Sequence, residues 1–174
     1  MKLNSVVAIL RWLNDNDISF WLDGGWGVDA LLGRQTREHG DIDILIKGGN
    51  AARFIGELAC SGYTEKQMDY TTPSHRVWVR GESVVDLHLL EFDAEGDALY
   101  EGESYPSWML GGHGVIGGID VLCLTPEAQL LFHQGYEHDE RDEHDVRVLC
   151  EAFHLEAPDG YAPVEAKGHW EVFE

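Results

Sequence analysis

Basic residues are scarce in this chain of 174 residues: 12 lysines and arginines stand against 32 aspartates and glutamates, a formal charge of −20. Such a field repels polyanions and argues against a protein whose main task is to grip nucleic acid or anionic lipid. Cysteine is rare as well. Cys60, Cys123 and Cys150 stand far apart with no Cys-x-x-Cys pair, which leaves neither a disulfide framework nor a zinc knuckle and predicts free, buried thiols. No apolar run approaches the roughly 20 residues that span a bilayer. The Met1-Lys2-Leu3 start passes into polar Asn4 and Ser5 and then an amphipathic helix, not a signal sequence, so the expected compartment is the cytoplasm, with no membrane partner.

What the chain does have is enough apolar residue, 44%, to bury a core at a length that suits one domain. Charge is spread unevenly. Residues 91–160 carry 17 acids with Arg141 and Arg147 as their only bases, whereas residues 1–90 carry 12 acids and 9 bases. The acidic half either meets a cationic ligand or keeps the protein soluble.

Val6, Ile9, Leu10 and Leu13 fall at helical spacing behind Asn4 or Ser5 as N-cap. A β-prone run, Ile18 to Leu22, then ends at Gly24-Gly25 and a brief helix, Trp26 to Leu32, is stopped by Gly33. Asp41 to Ile46 reads as a strand with acids on one face and Ile42, Ile44 and Ile46 on the other. Asn50 is the expected cap of a helix over Ala51 to Cys60, with Gly62 beyond its end. Arg76–Arg80 and Ser83–Leu89 flank Gly81-Glu82 as a hairpin, and residues 93–114 read as a long loop. A strand at Val121–Leu124, a helix from Pro126 to Tyr136 capped by Thr125, and a helix from Arg141 to Phe153 complete the pattern.

Asp41 and Asp43, two residues apart on one strand, project from the same face with α-carbons about 6.5 Å apart. They can converge on a metal ion. Gly24-Gly25, between strand and helix, would let backbone N–H groups approach phosphate oxygens with no β-carbon in the way. Asp86 supplies a third acid between apolar Val85 and Leu87, where an unpaired carboxylate is costly and a cation is welcome. Three carboxylates and a glycine turn are what phosphoryl or nucleotidyl transfer needs, because Mg²⁺ takes hard oxygen ligands and two ions can stabilise both oxygens of an in-line displacement. Arg34 and Arg37, just before the acids, are placed to meet a triphosphate or simply to face solvent. His88, on the face of Asp86, is placed either to orient it or to pack. The run Glu137 to His144 could be drawn as a metal site but reads more simply as a loop entering an acidic helix. Trp78 reads as core; Tyr100, Tyr105 and Trp108 could wall a pocket.

Gly24-Gly25, Asp41-x-Asp43 and Asp86 resemble the signature of the DNA-polymerase-β-like nucleotidyltransferases. More narrowly, Trp21-Leu22-Asp23-Gly24-Gly25-Trp26-Gly27-Val28-Asp29, the stretch Gly33 to Asp43, Asp86-Leu87-His88 and the stretch Pro126 to Tyr136 are similar to lincosamide nucleotidyltransferases, and more distantly to aminoglycoside 2″-adenylyltransferases. The likeness runs over about residues 5–150. It implies an α+β fold: a small mixed twisted sheet with helices on one side, of the polymerase-β-like kind, plus C-terminal helices. The expected division is a single domain over 1–156, with a core of about 5–92 and a loop and helical part of about 93–156, then a loosely ordered tail over 157–174. It also implies transfer of a nucleoside monophosphate, AMP from ATP or that of another NTP, to a lincosamide hydroxyl with release of pyrophosphate, the aminoglycoside being the alternative acceptor. On this reading Asp41 and Asp43 are metal ligands for Mg²⁺, two ions in all. Gly24, Gly25 and Arg37 lie at the triphosphate, and Asp86 is a third ligand or the general base. Acceptor and donor would meet between the carboxylate face and the C-terminal helices. Asp142 and Asp145 would support their helix or touch substrate. The resemblance extends to a homodimer, although the sequence itself shows no interface. Minimal nucleotidyltransferase antitoxins are a further alternative, disfavoured because Gly25-Trp26-Gly27 stands where those carry Gly-Ser and an arginine-bearing helix.

Overall fold

The computed structural model describes residues 1–162; residues 163–174, most of the tail expected to be loosely ordered, lie outside the described residues. Two compact units divide the chain, residues 1–125 and 126–174. The first contains α1 (Leu3–Asp15), β1 (Phe20–Asp23), α2 (Gly24–Leu32), β2 (Asp41–Lys47), α3 (Gly48–Cys60), β3 (Thr64–Lys66), β4 (His75–Arg80), β5 (Ser83–Phe92), β6 (Ala98–Tyr100), β7 (Glu103–Tyr105), β8 (Gly112–Ile116) and β9 (Ile119–Cys123).

Strands run in the order β3-β4-β5-β2-β1-β9-β8, and the β6–β7 hairpin joins off β5. The β2–β5 and β1–β9 pairs are parallel while β1–β2, β4–β5 and β8–β9 are antiparallel, so the sheet is mixed. Its apolar face decides the register. Ile42, Ile44, Ile46, Val85 and Leu87 are completely buried under Val6, Leu10 and Leu13 of α1 and Phe54 and Leu58 of α3. A slip of one residue in β2 would bring the aspartates into that core and expel the isoleucines. Each such side chain contributes about 1.5–3 kcal/mol by leaving water, and this burial holds the acids on the opposite face.

Several local expectations need correction. The N-cap of α1 is Lys2, without a side-chain bond, not Asn4 or Ser5. Helix α3 starts at Gly48 directly from β2, so Asn50 lies inside it. Cys60 is exposed, not buried; Cys123 and Cys150 are buried. The segment 93–114 is not one long loop. It holds β6, β7, a short 3-10 turn at Ser107–Leu110 and the start of β8. Glu101 and Gly102 both take positive φ (51° and 88°), which matches the twist of a two-residue hairpin between strands of three residues.

The second unit contains α4 (Pro126–Phe132) and α5 (Glu140–Phe153). Helix α4 ends before the expected Tyr136, and Gly135 takes a φ of 88° in the connection. Asp139 caps α5, its side chain accepting from Arg141 N and Asp142 N while Asp142 returns a bond to the Asp139 amide. The run Glu137 to His144 therefore enters a helix, in line with the simpler of its two sequence readings, and Asp142 supports that helix.

Candidate active site

Three adjacent strands bring an aspartate to the same level. The antiparallel β1–β2 register sets Asp23 opposite Asp43, and the parallel β2–β5 register sets Asp43 opposite Asp86. Asp41 precedes Asp43 by one turn of the pleat on the same face. Its place on β1, beside the glycine turn, does not by itself mark Asp23 as a fourth acid of the site. The Asp43 side chain keeps 27% exposure and the Asp86 side chain 15%. Loss of solvent lifts the Asp43 carboxyl well above the usual range, and the charges of Asp41, Asp23 and Asp86 push it further against the pull of Arg37. Asp86 is raised too, again by loss of solvent, with His75 opposing.

Gly24 and Gly25 form the first turn of α2 itself, not a turn ahead of a helix beginning at Trp26. Asp23 caps that turn, its Oδ1 accepting from the Gly24 amide at 2.7 Å. The next amides, those of Gly25 and Trp26, sit where a helix start supplies no intrahelical acceptor. Gly24 has a φ of 56°, and a β-carbon there would overlap Oδ2 of Asp43. At Gly25 a β-carbon would fall on the His39 ring and lie 2.6 Å from a guanidinium nitrogen of Arg37. The two glycines thus admit a carboxylate on one side and a cation on the other.

The connection from α2 to β2 is tied from below. Asp29, completely buried on α2, accepts from the Thr36 amide at 2.9 Å and the Thr36 hydroxyl at 2.7 Å through Oδ1. Its Oδ2 pairs with Nε2 of buried His39, whose ring lies 4.5 Å from that of Trp26. Between Thr36 and His39, Arg37 is held beside Gly25 and donates to the Glu38 carbonyl at 3.1 Å, whereas Arg34 is exposed. Nothing in the local sequence pattern marks Asp29 and His39 as a buried pair.

Two histidines flank Asp86. Nε2 of His75, at the start of β4, lies 2.6 Å from Oδ1 of Asp86. His88, for which orienting Asp86 was one expectation, is 3.8 Å from that oxygen and 4.0 Å from Oδ1 of Asp43. Its Nδ1 pairs with the Tyr100 hydroxyl at 3.0 Å. Loss of solvent, then the neighbouring His75, lowers the His88 ring to about 4, with Glu101 opposing. The β6–β7 turn is fixed over this corner by Glu101, which accepts from the hydroxyls of Thr72 and, at 2.9 Å, Ser74. Trp78 is core, as expected; Tyr100 reaches the site through His88, and Trp108 is half exposed. Among the described residues no helix is long and apolar enough to cross a membrane.

A family model described as aminoglycoside-2''-adenylyltransferase matches residues 5–149. Over 162 residues the chain is 35% identical to a lincosamide resistance protein of Staphylococcus haemolyticus, covering 86% of this chain and 98% of that one. It is 30% identical over 144 residues to a 2''-aminoglycoside nucleotidyltransferase of Klebsiella pneumoniae, covering 80% of this chain and 76% of the relative. The structure of the lincosamide antibiotic adenylyltransferase LnuA with bound lincomycin superposes with a TM-score of 0.74 at 30% identity, covering 86% of this chain and 96% of that one. ANT(2'')-Ia in complex with adenylyl-2''-tobramycin shares the fold, with a TM-score of 0.71 at 23% identity over 87% of this chain and 88% of its own. The matched span takes in the glycine turn and all four aspartates, and the chain belongs to the aminoglycoside-2''-adenylyltransferase family of nucleotidyltransferases.

Proposed function

We propose that this enzyme transfers AMP from Mg-ATP to a hydroxyl of a lincosamide antibiotic, releasing pyrophosphate and conferring resistance. The observation that carries the choice of acceptor is the 35% identity to a lincosamide resistance protein along 98% of that protein's length. The site's donor set fits the metal. Asp41 and Asp43 offer hard carboxylate oxygens from one strand, and the negative charge crowded around Asp43 is what a divalent cation relieves. Asp41 and Asp43 would hold it. When bound, Mg²⁺ neutralises phosphate charge and supports the attacking and leaving oxygens of the displacement.

The chain's own groups supply the rest of the reaction. Amides of the first turn of α2 donate to phosphate oxygens, favoured by the positive end of the helix dipole. Arg37, held beside Gly25, adds its guanidinium to the triphosphate. Asp86 takes the proton from the acceptor hydroxyl as it attacks the α-phosphorus, with His75 holding the carboxylate in one rotamer through its hydrogen bond. The α–β phosphoanhydride bond then breaks and pyrophosphate leaves.

The acidic segment 91–160 favours a polycation, so an aminoglycoside is the second reading. Pyrophosphate release with Mg-ATP against lincomycin, clindamycin, tobramycin and kanamycin, with mass spectrometry of each drug, separates the two. An adenylyl mass on lincosamides alone is the expected result. A gain on aminoglycosides alone replaces the acceptor, and no gain on any drug overturns the reading.

A further inference from the structure

Transfer to an antibiotic hydroxyl uses Asp86 and gives His88 no task, yet His88 is built into the corner with care. His75 and His88 are directly paired across β4 and β5, and Asp86 stands two residues before His88 on the same face. Their rings lie 4.3 Å apart between centroids, with the Tyr70 ring 5.0 Å from that of His75. One ligand atom from each of His75, Asp86 and His88 can be chosen so that all lie within 4.8 Å of one another. A hydrogen-bonded His–Asp pair accounts for His75 alone. In His88 the Nδ1 atom is anchored by the Tyr100 hydroxyl at 3.0 Å while Nε2 points at carboxylate oxygens 3.8 Å and 4.0 Å away, just past hydrogen-bond reach. One nitrogen held by an outer partner and the other aimed at a shared point is the wiring of a metal-ligating histidine.

We propose that His75, Asp86 and His88 form a site for a borderline divalent transition metal, Zn²⁺ above all, separate in its donors from the magnesium position at Asp41 and Asp43. Two imidazoles and one carboxylate suit zinc, whereas Mg²⁺ takes oxygen and leaves imidazole to other metals. Zinc bonds of about 2.0–2.2 Å separate neighbouring ligand atoms by roughly 3.0–3.5 Å. The 2.6 Å His75–Asp86 contact would open and the 3.8 Å His88–Asp86 gap would close, each by less than about 1 Å, and the two imidazole nitrogens, which lie within 4.8 Å of one another, would draw together as well. Any proton held between His75 Nε2 and Asp86 Oδ1 must quit that contact as the ion enters, to the other ring nitrogen or to solvent. Because Asp86 serves both, zinc there withdraws the proton acceptor and represses transfer; this consequence rests on the proposed function, but the binding does not.

The test uses the full chain without nucleotide or drug, titrated with Zn²⁺ against a chromophoric chelator, and with Co²⁺ as a visible-absorption reporter of nitrogen ligation. We expect one ion per chain, retained in excess Mg²⁺ and in a His138→Gln control. Tyr100→Phe, which removes only the outer partner, weakens binding about 10-fold, within the 10–100-fold span for such groups. His75→Gln and His88→Gln weaken it by more, with thermal unfolding confirming that each variant folds. Zinc binding unchanged in both histidine variants, displacement by equimolar Mg²⁺, or a Co²⁺ spectrum without nitrogen ligation overturns the proposal. If either histidine variant fails to fold, the Co²⁺ spectrum of the unaltered chain and Tyr100→Phe still decide it. Failure of the antibiotic reading would show only in the drug masses and would leave these measurements untouched.

Discussion

Gly24 and Asp43 share one small space: the carboxylate occupies the position a β-carbon on residue 24 would need, and the Gly24 backbone holds a φ of 56° that disfavours any other residue. Gly24→Ala therefore meets two penalties, about 1–2 kcal/mol of left-handed backbone strain and displacement of a proposed metal ligand. A shift near 1 Å at a reacting centre costs about 10²-fold in rate. We expect kcat for adenylyl transfer to fall by about that factor while far-ultraviolet circular dichroism stays unchanged. A kcat within twofold of the unaltered enzyme, in roughly the range of ordinary assay scatter, would remove Gly24 from the site.

Asp29 works at a distance from the acids, through the Thr36 and His39 contacts that set the Arg37 turn. Asp29→Asn keeps the volume and the acceptor for Thr36 but changes the group facing His39. Leaving a buried partner unsatisfied costs about 1–3 kcal/mol, readable as a lower urea midpoint with an unchanged slope. Because Arg37 is the proposed triphosphate contact, KM for ATP should rise more than kcat falls. Equal loss in both, or none, would show that the network supports the fold without serving the nucleotide.

Thiol chemistry separates the three cysteines. Cys60 is exposed, whereas loss of solvent and then the Asp23 charge push the buried Cys123 thiol to about 12, and burial raises Cys150. A raised thiol stays protonated at mildly alkaline pH, and thiolate is the reactive form. At pH about 8, close to the ordinary thiol value, a disulfide reagent should label Cys60 quickly in the native protein and all three cysteines after denaturation. Rapid native labelling at Cys123 would contradict the packing of β9 against β1.

How much of the fold and site is written in the sequence depends on the range of the interaction. The alternation of Asp41 and Asp43 with Ile42, Ile44 and Ile46 is local and sets which face of β2 is buried, so the pattern alone places the acids. Counting outward from the Gly81-Glu82 turn pairs His75 with His88, so a hairpin strand carried one residue beyond Arg76 reaches His75 from local pattern alone. Asp23 is different. It becomes a fourth acid because β1 lies antiparallel to β2, a pairing between segments joined by a helix and a long turn that no local pattern specifies. The Asp29–His39 pair was hidden for a related reason, since an aspartate in a short helix reads as solvated until tertiary packing buries it. Within 93–114, strands of only three residues are too short for a period of two to register.

Four aspartates on one sheet face carry a cost when no cation is bound: loss of solvent first, and then the charges of Asp41, Asp23 and Asp86, push the Asp43 carboxyl upward. Asp43→Asn removes one charge with almost no change in volume. In chelator the variant should therefore unfold at a higher temperature than the unaltered protein, by roughly 2–4 °C for each kcal/mol of repulsion relieved. Added Mg²⁺ should reverse the order, because an ion that binds only the folded state stabilises it by mass action and the variant has lost the ligand. Turnover in the variant should vanish while the fold persists. Differential scanning fluorimetry across a Mg²⁺ series measures both arms at once. A variant less stable than its parent in chelator would mean that Asp43 is held by hydrogen bonds that outweigh the repulsion, and an equal Mg²⁺ response in the two proteins would move the metal away from Asp43.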